Sequence, residues 1–409
     1  MAFLMPSGAL AIPDSGAQKL LRPFMPELDT LRGIAVLGVL LHHGFYWRYG
    51  SSTFAPWVRP FMSATRFGWI GVNLFFVLSG FLITGILLDS KDKPHFYRRF
   101  YTRRALRILP AYYALLILLL VFRTSSFAFV GLSFFYLANM TEFFGVPCAY
   151  GPLWSLAVEE HFYLLWPFAV RNVTMRRLAM ISASIVVSVP VLRAVSFALG
   201  YGGGLDWYTW FVADGLAAGS LLAVVLRTAI TRKQVWKLCC TLLASATALG
   251  IAAQPFGIDT RSRLLGAGLQ FTLINAFFAG ILLLFLLAGT GTARRSVNLS
   301  ALRFLGYLSY GLYLDHLLAF RIYDWIYPRY FPPLAVPGTD LARVFLRFTL
   351  AGGGAIAVAY LSRKYFEERF LRLKDSLVPQ TPPSEKTDNQ PHAPARHHRS
   401  GVTRIGIKN

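Results

Sequence analysis

The chain has 409 residues, 55% of them hydrophobic and only 15% charged, with a mean hydropathy of +0.49. A water-soluble fold of this length needs far more polar cover, so an ordinary soluble domain is excluded. The 41 Lys and Arg against 19 Asp and Glu give a net charge of +22, which in a polytopic membrane protein follows from basic residues collecting in cytoplasmic loops, so no nucleic-acid partner is expected.

Residues 1–30 contain Pro6, Pro13, Pro23 and Pro26 and lack a basic start followed by an apolar run. No cleavable signal is expected there, and 1–26 is expected to be a flexible cytoplasmic N-terminus. Apolar stretches then recur at 31–47, 69–88, 108–122, 127–140, 153–170, 178–199, 207–226, 238–253, 269–289, 301–320 and 344–361, against the roughly 20 residues of a full crossing. The densest basic connection is 91–107. With Arg171/Arg176/Arg177, Arg227/Arg232/Lys233/Lys237, Arg294/Arg295 and the exit at Arg363/Lys364, it is placed in the cytoplasm by the positive-inside rule. Between Arg107 and Arg171 the chain must cross an even number of times, yet three apolar stretches lie there, so one is not a full span. The short, Phe-rich 127–140 is the preferred partial element; 153–170, which holds Glu159 and Glu160, is the alternative.

The expected fold is therefore all-α: a polytopic transmembrane helical bundle of about ten spanning helices plus one partial or re-entrant element. Its membrane-embedded domain runs over 27–374, both ends are cytoplasmic, and the expected location is a bacterial plasma (inner) membrane. From about Asp375 the composition turns to Pro, Ser, Lys, Asn and His, and 375–409 is expected to be a disordered cytoplasmic tail. Its His392, His397 and His398 read as solvated. Cys148, Cys239 and Cys240 have no metal-ligand spacing, and no metal is expected.

Three constellations can carry chemistry. In the first span Arg32 and His43 are eleven residues apart, which returns them to within about 20° of one helix face and separates them by roughly 16 Å along the axis. His42 points about 100° away. Asp29 is expected to pair with Arg32 and to cap the helix start. A histidine bonded between helices and an interfacial arginine would give the same pattern. In the basic connection, Arg103, Arg104 and Arg107 precede the third stretch, and Arg104 and Arg107 share one helix face as a fork suited to phosphate. Topology alone would also explain that charge. In the run Trp154-Ser-Leu-Ala-Val-Glu-Glu-His-Phe-Tyr163, Glu159 and Glu160 cannot both face lipid, so at least one points inward. A buried acid tying two helices together is the plain reading.

The Arg32/His43 spacing, the run Gly71-Val-Asn-Leu-Phe-Phe-Val-Leu-Ser-Gly-Phe-Leu-Ile83 and the run Arg104-Ala-Leu-Arg-Ile-Leu-Pro-Ala-Tyr-Tyr113 recur in order with two more: the tryptophan-to-tyrosine run just quoted and Leu308-Ser-Tyr-Gly-Leu-Tyr-Leu-Asp-His316. Together, over about 27–372, they resemble the acyltransferase-3 family. The resemblance implies an integral membrane enzyme, typically of ten spans, that transfers acyl groups, commonly acetyl from acetyl-CoA, to hydroxyls of sugars and other surface or secreted molecules. It implies His43 as the essential histidine, Arg32 as its partner, and Arg104 with Arg107 as the pair linked to the acyl donor. Arg103 is counted with the donor arginines and Glu159 with the catalytic groups. Asn73, His161 and Asp315 depart from the family's usual acidic residue, Gln, and Trp or apolar residue.

The expected chemistry is O-acyl transfer: acyl-CoA is a substrate, no cofactor is held permanently, and a neutral His43 serves as base. The expected acceptor is a carbohydrate or glycolipid that reaches the membrane, with a macrolide-like metabolite as the second choice. A reading of another class is a proton-coupled transporter with a relay through Glu159, Glu160, Asp214, Asp315 and His43.

Overall fold

The computed structural model describes residues 20–51, 54–330, 340–373 and 377. Of the expected flexible N-terminus over 1–26 only residues 20–26 are described, and of the expected disordered tail over 375–409 only 377; the rest lies outside the described residues. Pro26 opens α1 (Pro26–Leu41), a position where its missing N–H costs nothing. Met25 offers no side-chain cap. Asp29 therefore sits inside the helix and does not cap it, although it does pair with Arg32 at 3.3 Å. The helix then widens into a π turn at His42–Tyr46, where Trp47 N–H reaches back five residues to the His42 carbonyl.

After the short helix Arg59–Arg66 comes α2 (Gly71–Asp89), then α3 (Phe96–Val121), α4 (Phe127–Phe134), α5 (Leu153–Asn172), α6 (Met175–Ala198), α7 (Asp214–Val225), α8 (Arg232–Ala252), α9 (Leu264–Gly289), α10 (Ser300–Ile326) and α11 (Leu341–Arg372). No strand occurs among the described residues. One expectation changes here and another stands. The basic run 98–107 is not a loop but the first turns of α3, which starts just after His95 in a left-handed conformation (φ 56°). The 127–140 stretch holds a helix of only eight residues, about 12 Å long, too short to cross and in keeping with a partial element.

Among the described residues six helices are long and apolar enough to span a membrane: Arg59–Asp89, which contains α2, and α3, α6, α8, α9 and α11. The chain is thus an integral membrane protein, but six falls short of the ten expected. The reason is physical. Helix α7 has only 12 residues, α1 and its π turn carry Glu27, Asp29, Arg32, His42 and His43, and α5 and α10 carry Glu159, Glu160, Arg303, Asp315, Arg321 and Asp324. Hydropathy measures fitness for lipid, and these are helices whose polar groups point at other protein. The lipid-compatible surface lies elsewhere, on α3, α6, α8 and α11, where Ile117, Val191, Leu249 and Val358 are exposed.

Close helix crossings set the geometry of the interior. A Cβ on Gly33 would overlap the Leu302 carbonyl, and one on Gly306 the Asp29 carbonyl, so α1 and α10 meet backbone to backbone. Without a hydrophobic drive inside lipid, such small-residue contacts are a main source of helix association. Polar ties add to them. Arg193 of α6, fully buried, donates to both Asp214 carboxylate oxygens (3.3 and 3.0 Å), to the Gly268 carbonyl and to Thr272 Oγ1, joining α6, α7 and α9.

Candidate active site

One cavity, enclosing about 700 Å³ including its open mouth, is lined by α1, α2, α3, α5 and α10. Helical periodicity supplies its wall: Ser155, Glu159 and Tyr163 follow one another at i, i+4 on α5, Arg104 and Arg107 at i, i+3 on α3, and Tyr310 and Tyr313 at i, i+3 on α10. Arg32 enters from α1 and Ser79 from α2. Four of the expected residues, Arg32, Arg104, Arg107 and Glu159, thus meet in one place, together with Glu160.

Glu159 accepts hydrogen bonds from Ser79 Oγ at 2.8 Å and from Tyr163 Oη at 3.0 Å. The Arg104 guanidinium lies 4.0 Å from Glu159 and 3.8 Å from Glu160, with its carbon 3.5 Å from the centre of the Tyr163 ring. The two carboxylates therefore balance Arg104 through space. Its Nε, though buried, has no hydrogen-bond partner. Arg107 is different: among the described residues no carboxylate pairs with it, and Arg32, Arg104 and Arg363 are the cations in electrostatic reach. Guanidinium groups gathered at one mouth repel one another, and a bound anion relieves that repulsion; phosphate fits their fork geometry.

His43 sits on the π turn, partly buried, and does not line the cavity. Its Nδ1 lies 3.1 Å from the Val39 carbonyl and 3.1 Å from His316 Nε2, and His316 Nδ1 lies 3.0 Å from the Leu312 carbonyl. His316, 1% exposed, is 5.9 Å ring to ring from Tyr313, and Tyr313 does line the cavity, its hydroxyl 2.6 Å from Ser155 Oγ. Tyr313 and His316 thus link the lining of the basic cavity to His43. His42, as expected, faces elsewhere, bonded to the Thr65 carbonyl at 3.2 Å. Arg103 is exposed and outside the cavity lining.

Two residues beside His43 had no expected role. One is His316, although the i, i+3 spacing of Tyr310, Tyr313 and His316 was a visible signal for one shared face. The other is Arg347 of α11, 4% exposed, which grips Asp324 with Nε and Nη2 (2.7 and 2.8 Å) and donates from Nη1 to the Gly44 carbonyl at 2.9 Å, in the middle of the π turn. Opposite Gly44, α11 has its own π turn at Phe348–Gly352, and the Phe348 ring occupies the space a Gly44 side chain would need.

The unusual residues are also placed. Asn73 pairs with Asn275 at 2.9 Å, and His161 Nδ1 lies 2.7 Å from Thr209 Oγ1, on the far side of α5 from Glu159. Asp315 Oδ1 is buried without a hydrogen bond. Asp214 is saturated by Arg193 and Thr272, so the acids named for a relay do not form one connected chain. No group of three or more metal-ligating side chains occurs among the described residues.

Comparison with known proteins gives a consistent picture. A family model described as "Acyltransferase domain" matches residues 25–364. The chain is 29% identical over 335 residues to a protein of Listeria monocytogenes named "Peptidoglycan O-acetyltransferase OatA", covering 72% of this chain and 49% of that one. It is 30% identical over 324 residues to a Bacillus subtilis protein named "Putative peptidoglycan O-acetyltransferase YrhL", covering 72% and 48%. The chain spans about half the length of the curated relatives it matches. No solved structure matches it.

Proposed function

The chain belongs to the acyltransferase-3 family, and from that premise we propose that it moves an acyl group, acetyl above all, from acyl-CoA to a hydroxyl of a cell-surface carbohydrate. The names of its relatives, which specify peptidoglycan, support a glycan acceptor. The observation that carries the proposal is the convergence of Arg32, Arg104 and Arg107 on one cavity whose lining includes Tyr313, the ring next to His316 and, through it, His43.

In this reading the CoA phosphates bind Arg104 and Arg107, with Glu159, Glu160 and the Tyr163 ring holding Arg104 in place. Exposed Arg103 belongs to the rim and meets at most the outer part of the donor. The thioester arm passes Arg32 toward His43. His43 takes the proton of the acceptor hydroxyl as its oxygen bonds to the thioester carbonyl carbon. The tetrahedral oxyanion then collapses, the C–S bond breaks, and the imidazolium returns the proton to the departing thiolate, leaving an ester and free CoA. A thioester is already activated, so the protein supplies position, a base and positive charge.

The test uses proteoliposomes of the full chain given acetyl-labelled acetyl-CoA and soluble peptidoglycan fragments. Label is expected in alkali-labile ester on the glycan, and His43→Ala is expected to abolish it. Undiminished transfer by His43→Ala would refute the assignment.

A further inference from the structure

The hydrogen bonds around His43 restrict its protonation more than a single contact would. Backbone carbonyls only accept, so the ring nitrogen facing each one carries the hydrogen. His316 Nδ1 faces the Leu312 carbonyl at 3.0 Å and is therefore N–H. A neutral imidazole has one donor and one acceptor, which leaves His316 Nε2 as a lone pair. His43 Nδ1 faces the Val39 carbonyl at 3.1 Å and is likewise N–H, and it also faces His316 Nε2 at 3.1 Å. Every contact is satisfied by one arrangement. His43 Nδ1–H is shared between the Val39 carbonyl and His316 Nε2, and His43 Nε2 is unprotonated.

The structure also holds His316 still. The Tyr150 hydroxyl donates to the Leu314 carbonyl at 2.6 Å and accepts from Leu318 N–H at 3.0 Å. It is inserted into the helical ladder across the turn that carries His316, a local feature that pins and bends a helix. Tyr150 is itself fully buried, so the acceptor presented to His43 is fixed at both its ring and its backbone.

We propose that His316 is a positioning residue for acyl transfer: it accepts the Nδ1–H of His43, holds that ring in one tautomer and keeps the Nε2 lone pair of His43 ready for the acceptor hydroxyl. This rests on the reading of His43 as the base. When His43 becomes cationic, the same hydrogen bond strengthens, because a charged donor bonds more strongly than a neutral one. His316 thus acts on the proton-transfer step and not on donor binding.

The experiment compares His316→Leu, His316→Gln and His316→Asn in proteoliposomes with labelled acetyl-CoA, alongside His43→Ala. Gln places its carboxamide oxygen near the original Nε2, whereas Asn is too short. His316→Leu and His316→Asn are expected to lower kcat about 10- to 100-fold, the worth of a hydrogen bond to a charged group, with the donor KM little changed, and His316→Gln to recover most of the rate. Wild-type kcat in His316→Leu overturns the proposal. So does an equal defect in Gln and Asn, which would indicate packing alone. If His316→Leu does not fold, the Gln/Asn contrast still decides. Activity in His43→Ala would instead sink the base assignment itself, whatever the His316 variants do.

Discussion

The two arginines of the α3 fork differ in what surrounds them, and the difference predicts opposite costs. Arg104 is compensated by Glu159 and Glu160, so Arg104→Ala removes donor binding and also strands two carboxylates inside the bundle. Arg107 has no paired acid among the described residues and three cationic neighbours, so Arg107→Ala removes repulsion and leaves nothing unpaired. A hydrogen bond to a charged group contributes about 1.5–3 kcal/mol, which is about 10- to 150-fold in affinity. Arg107→Ala is therefore expected to raise the donor KM by that factor while the thermal stability of the detergent-solubilised protein stays level or rises. Arg104→Ala is expected to lose both. The assays are initial rates against acetyl-CoA concentration in proteoliposomes and thermal unfolding followed by tryptophan fluorescence. An unchanged donor KM in Arg107→Ala would refute the phosphate assignment.

Other expectations follow from the packing. Removing one partner of a buried ion pair costs about 3–5 kcal/mol, so Asp214→Leu is expected to destabilise more than the double variant Arg193→Met with Asp214→Leu; equal unfolding temperatures would contradict the pairing argument. Gly306→Ala, forced against the Asp29 carbonyl, is expected to cost about 1–3 kcal/mol, whereas Gly353→Ala, which meets open space, is expected to be neutral or stabilising in the same measurement. Arg347→Lys keeps the charge but loses the fork that spans Asp324 and the Gly44 carbonyl, so kcat is expected to fall about tenfold or more with the donor KM held. Full activity would show that the π turn does not need that grip.

What was legible beforehand was local. The i, i+3 rule put Arg104 and Arg107 on one face and Asp29 beside Arg32, and both hold. Positive charge marked 91–107 as a membrane edge but could not show that α3 begins at Phe96 and carries those arginines into the bundle. The apolar stretches 207–226 and 301–320 were legible as helices, but α7 is only 12 residues long and α10 carries Arg303, Asp315, Arg321 and Asp324 toward protein, so length and hydropathy alone do not mark either as a full span. The decisive contacts join distant parts of the chain: Ser79 to Glu159, and His43 to His316 across 273 positions. No spacing rule reaches that far. The π turn at His42–Tyr46 was equally hidden, since it faces the Phe348 ring and the Arg347 guanidinium on another helix.

The most direct measurement is an experimental structure of the protein with a non-transferable acetyl-CoA analogue. The account predicts phosphate oxygens on the Arg104 and Arg107 guanidinium groups and the acyl carbonyl carried past Arg32 to the Nε2 side of His43. An analogue seated elsewhere, or one whose acyl end stops at Tyr313 with the histidine pair sealed behind it, would contradict it.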